Sequence, residues 1–232
     1  MMKVIRFILI QILYISIFLF ILFEAQSQSL YFKGNEFSEI LKSASFYFTR
    51  SPMAQIRLFI FYSLFFTIVS IGMLMELSDE AGLDNFIIYR YQSKKRSIEY
   101  KFKRIARKSI EQFIIIFISV FLASLFFMIL TGDYKFSIIS FIMIIIFSIK
   151  FMFVYSFMSI LAKMLLIRLN VNIITVVILT LYIIIMMLDI NFGVLDLLFF
   201  SDSMIGMIQG IIGLIICSTI YYQVLNYRKE II

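Results

Sequence analysis

The chain has 232 residues, 62% of them hydrophobic and 15% charged, with one proline and a formal net charge of +7. A mean hydropathy of +1.03 excludes a soluble domain, in which about half the residues are apolar and a quarter charged. With no histidine and only Cys217, imidazole triads, His-based zinc sites and intramolecular disulfides are excluded as well.

Six apolar stretches, 5–23, 56–75, 112–130, 136–161, 171–188 and 204–224, each approach the ~20 residues a helix needs to cross a bilayer core. Their runs are continuous, without the alternation of a transmembrane barrel. The expected fold is an all-α polytopic membrane protein with six transmembrane helices, cytoplasmic amphipathic helices and external interfacial helices, forming one domain over 1–232. Lys3 and Arg6 precede the first stretch, whose apolar run is longer than a signal peptide needs, so it reads as a retained anchor. Lys and Arg mark the cytoplasmic side. With the N-terminus inside, fifteen of them lie at cytoplasmic segments, five lie outside and Lys150 lies within a span. Both termini are therefore expected in the cytoplasm.

After the first span, SLYFKGNEFSEILKSASFYFTRSP places Phe37, Ile40, Leu41, Ala44 and Phe48 at helical spacing behind Asn35, a candidate N-cap. This predicts an external helix lying on the bilayer. Pro52 then suits the first turn of the second span, and Arg57 can snorkel to the headgroups. Glu24 reads as an interfacial residue at the outer end of the first span.

The stretch 76–111, ELSDEAGLDNFIIYRYQSKKRSIEYKFKRIARKSIE, is the largest polar piece of the chain. Asp84 is placed to cap a short helix through Tyr91, with Phe86, Ile87 and Ile88 on its apolar side. A second helix follows, with Ile98, Phe102, Ile105 and Ala106 on one face. Around it lie the basic groups Lys94, Lys95, Arg96, Lys101, Lys103, Arg104, Arg107 and Lys108. The pair is expected under the inner leaflet, its charges near lipid phosphates and its apolar face free for a partner. Being tied to the bilayer at both ends, the patch does not read as a nucleic-acid surface.

Within this stretch, Glu80 and Gly82, then Phe86, Ile87 and Ile88, then Ser93, Lys94 and Lys95, then Lys101 resemble the cytoplasmic motif of type-2 ABC exporter permeases. Tyr91 stands where that family has proline. The resemblance implies that Asp79, Glu80, Gly82, Asp84, Phe86, Ile87, Ile88, Tyr91 and Ser93 form a coupling helix docking on an ATPase subunit. The chain has no G-x-x-x-x-G-K-[ST] sequence, so ATP and magnesium would be bound by that separate subunit, and this chain would bind no cofactor. The implied partners are the ATPase, a second permease chain, membrane lipids and a peptide cargo. Short permeases of this kind resemble those that export, or give immunity to, bacteriocins and lantibiotics at the bacterial cell membrane. The alternative is a non-transporting immunity or sensor protein binding a peptide outside through 35–48.

Lys150 falls near the middle of the fourth span, where a charge costs at least ~2.5 kcal/mol. It should face protein or water, lining a path or completing a buried structural pair. Between the fifth and sixth spans, Asp189, Asp196 and Asp202 punctuate an apolar run that suggests a re-entrant or interfacial helix. Their spacing fits no compact metal loop. Gly206, Gly210 and Gly213 give the last span a small-residue face for close helix packing, more readily within the chain than between chains.

Overall fold

The computed structural model describes residues 2–29, 36–44, 52–91, 94–132, 134–166, 169–192 and 205–227. Seven helices follow in order: α1 (Met2–Ser29), α2 (Phe37–Ser43), α3 (Pro52–Tyr91), α4 (Lys94–Thr131), α5 (Ile138–Leu165), α6 (Val171–Phe192) and α7 (Ile205–Tyr227). No strand occurs among the described residues, so the fold is an all-α polytopic membrane protein. Five helices, α1, α3, α4, α5 and α7, are long and apolar enough to span, and α6 carries a shorter apolar stretch, Asn172–Leu188.

Local chemistry sets several boundaries. Pro52 opens α3, where its missing N–H belongs to an unbonded first turn. At the end of α4, Gly132 has φ +69° and its N–H donates to the Met128 carbonyl at 2.8 Å, the left-handed cap that favours glycine. Ser137 starts α5 by accepting from the Ser140 N–H at 3.3 Å.

Ring contacts and glycine contacts fix the register of the bundle. Gln11 on α1 donates to the Ile115 carbonyl and accepts from the Ser119 hydroxyl at 2.6 Å, aligning α1 parallel to α4. Phe65 packs on Tyr14 and Phe18 of α1 and on Phe151 of α5, with centroids 5.1 to 5.3 Å apart, and Phe66 stacks on Tyr182 of α6 at 4.8 Å. These rings fill the centre of the chain. Helix directions alternate, so the start of α1, the end of α3, the start of α4 and the end of α7 share one end of the bundle.

Two expectations are corrected here. The segment after α1 does not lie on the bilayer: Phe37, Ile40, Leu41 and Ala44 of α2 are fully buried, and α2 packs into the bundle against α1 and α5. Its N-cap is Glu36, without a side-chain capping bond, rather than Asn35. An apolar helical face reads the same whether lipid or protein covers it. The second correction is that α3 does not end at the membrane but runs 40 residues to Tyr91. Asp84 therefore lies inside a helix and cannot be its N-cap.

Gly210 abuts Phe153 and Gly213 faces Phe157, so α7 runs parallel to α5. At 1.5 Å per residue, Ile205 starts roughly 15 Å short of the level where α5 begins. α6 extends to Phe192, ten residues past the Tyr182 level, so it ends farther toward that face than α7 begins. The expected re-entrant helix over 189–203 lies outside the described residues except for the last turn of α6. Asp196 and Asp202 are among those not described.

Candidate functional site

The candidate site is carried by the end of α3 and the start of α4. α3 continues 18 residues beyond Met73, the end of its apolar span, and α4 begins 18 residues before Gln112, after which no charge occurs up to Thr131. The α3 extension spans roughly 27 Å, whereas the apolar span of α4 reaches back to Ile98. The structure thus brings 79–91 and the basic residues from Lys94 onward to the same end of the bundle. The side chains of Asp79, Glu80, Gly82, Asp84, Phe86, Ile87, Ile88, Tyr91, Lys94 and Lys95 lie outside the described set, as does Ser93 entirely; the backbone is helical from 79 to 91 and from 94.

The basic half of α4 is placed differently from expectation. Its apolar face is already covered by the chain itself: Ile98 and Ile105 are buried with Ile160 of α5 and with Tyr221 and Leu225 of α7. Phe102 meets the Tyr221 ring edge-on at 5.5 Å. Ala106, expected on that face, is exposed. This half therefore continues the spanning helix down the side of α5 and α7 rather than lying flat beneath the leaflet, and Ile98 and Ile105 are not free for a partner. A polar tie fixes it one turn higher, where the Ser156 hydroxyl donates to Ser109 Oγ at 2.6 Å and Ser109 donates back to the Ile105 carbonyl.

Arg96, Lys103 and Arg107 are exposed, while Lys101, Arg104 and Lys108 are half-buried. Arg107 Nε and Lys108 Nζ both reach Glu111, at 3.1 and 2.9 Å. Such solvent-exposed pairs add little stability. They do anchor two of the cations along the helix, directly before the apolar stretch.

Lys150 is completely buried in the middle of α5, as its cost in lipid requires. It lies on the helix between the neighbours of α1, through Phe147 on Phe18, and those of α7, through Phe153 on Gly210. Gly210 is a contact within the chain: a Cβ there would stand 3.0 Å from Phe153 Cβ, whereas one at Gly213 would meet Phe157 at an ordinary 3.9 Å. The surroundings of Gly206 fall outside the description.

Sequence reasoning missed the polar ties at the opposite end. Glu24 and Arg57 form an ion pair of 2.8 Å between α1 and α3. The available signal was two opposite charges at the same end of consecutive spans. The Tyr62 hydroxyl donates to the Ala44 carbonyl at 3.1 Å, and the Phe37 N–H to the Lys135 carbonyl at 3.1 Å. No sequence pattern marks these. Among the described residues no cluster of three metal-ligating side chains occurs.

Comparison with protein-family models, curated proteins and solved structures gives no match.

Proposed function

We propose that this chain is the membrane subunit of an ATP-driven ABC exporter, moving a hydrophobic or antimicrobial peptide out of a bacterial cell while a separate subunit hydrolyses ATP. The observation that carries the reading is the unbroken continuation of α3 beyond its apolar span to Tyr91, beside the basic start of α4, with the exporter-like motif at its end. A helix unbroken from the membrane to a distal contact transmits displacement without an intervening hinge. The aromatic core of the single chain is filled by Phe18, Phe65, Phe66, Phe147, Phe151 and Tyr182, so a cargo path fits better between two chains than along the axis of one. On this reading the termini and the α3–α4 tip are cytoplasmic, following the distribution of Lys and Arg. The non-transporting alternative gains nothing from α2, whose apolar residues are occupied within the bundle.

Affinity purification of the tagged chain from native membranes in mild detergent tests the proposal. An ATP-binding subunit is expected in stoichiometric amounts; its repeated absence would sink the exporter reading.

A further inference from the structure

The seven-residue helix α2 is held as an inserted piece rather than as part of the spanning scaffold. Helix ends leave N–H and C=O groups without intrahelical partners, and here other elements supply them. The Phe37 N–H donates to the Lys135 carbonyl of the α4–α5 turn, and the Ala44 carbonyl accepts from Tyr62 of α3. Between these ends Phe37 packs on Phe127 and Phe136, with centroids 5.8 and 6.0 Å apart. A helix this short is unstable by itself in water, so α2 is either seated and helical or unseated and unfolded. One group works against the seat: Glu39 Oε2 is shielded from solvent with no hydrogen-bond partner, the arrangement that disfavours burial of a carboxyl oxygen.

We propose that α2 is a removable plug at the end of the bundle opposite the termini, held by Lys135, Tyr62 and Phe37 and weakened by Glu39. Its departure uncovers apolar walls from α1, α4 and α5 around the Tyr62 hydroxyl. The inference is independent of the exporter reading, since it needs neither an ATPase nor a cargo.

The test uses the full chain in lipid nanodiscs, where both faces meet water, with Cys217→Ser and Ser43→Cys. Ser43 is buried on α2. A membrane-impermeant methanethiosulfonate reports how often it becomes accessible. Slow but measurable labelling is expected, at least tenfold faster with Phe37→Ala, which loses the ring contacts, and at least threefold slower with Glu39→Leu, which removes the opposing carboxyl. If position 43 is inert in the parent, α2 is a fixed part of the core and the proposal is overturned. Equal rates in all three proteins overturn it too, because the site is then reached without unseating. Where Phe37→Ala fails to fold, Glu39→Leu decides alone: slower labelling supports the plug, and unchanged or faster labelling overturns it.

Discussion

Gly210 and Gly213 are three residues apart on one helix and read identically in the sequence, yet their surroundings set different tolerances. A methyl at 210 is crowded to 3.0 Å from Phe153 Cβ, which lies next to the backbone and has little room to yield; a methyl at 213 makes ordinary contact. Gly210→Ala should therefore destabilise the α5–α7 pair by about 1–3 kcal/mol, the usual range for overpacking, while Gly213→Ala should be neutral or slightly stabilising through its better helix propensity. Thermal aggregation of the two detergent-solubilised variants makes the comparison, and equal losses would contradict the register. Lys150 offers a second residue-scale test. Being enclosed, Lys150→Cys in a Cys217→Ser background should resist a water-soluble thiol reagent; labelling as fast as an exposed helix position would place it on a water-filled path.

At the scale of elements, the α3–α4 tip separates two ways of binding a partner. If it docks an ATPase by buried anchors, Phe86→Ser with Ile87→Ser removes two apolar groups, each contributing about 1.5–3 kcal/mol when fully buried, and retention of the ATPase should fall at least tenfold. Neutralising Lys103, Arg104 and Arg107 should instead weaken contact with anionic lipid by about 1 kcal/mol per charge and leave the subunit bound. Pull-down of correctly inserted variants decides, and the opposite pattern would make the charges the docking site. Spans were legible here because twenty apolar residues in a row have one stable solution in a bilayer. The continuity of α3 was not, since Asp84 suits an N-cap and a helix interior alike and only the chain on both sides decides between them. Burial of α2 was equally hidden, because its seat is assembled from Lys135, Tyr62 and Phe127, far apart in sequence. For the basic half of α4, amphipathicity announced an apolar face but not that Tyr221 and Leu225, over a hundred residues later, would cover it.

For the whole molecule, the asymmetry of charge between the two ends makes a statement about orientation that accessibility can check. In intact cells carrying single cysteines in a Cys217→Ser background, an impermeant reagent should modify Glu36→Cys and spare Arg96→Cys, both exposed positions; the reverse would invert the topology. The unbroken helix from Lys94 to Thr131 has one further consequence, which concerns angular phase. Every residue of that helix is fixed about the axis relative to every other, so one alanine inserted between Glu111 and Gln112 turns the basic half by about 100° against the uncharged half. Ile98, Phe102 and Ile105 would swing off α5 and α7, and charged neighbours would be driven onto Ile160 and Tyr221. Seven inserted residues, close to two full turns, restore the angle to within about 20° while lengthening the rod by roughly 10 Å. A chain that tolerates seven residues better than one would show that its two halves communicate by rotational alignment rather than by reach.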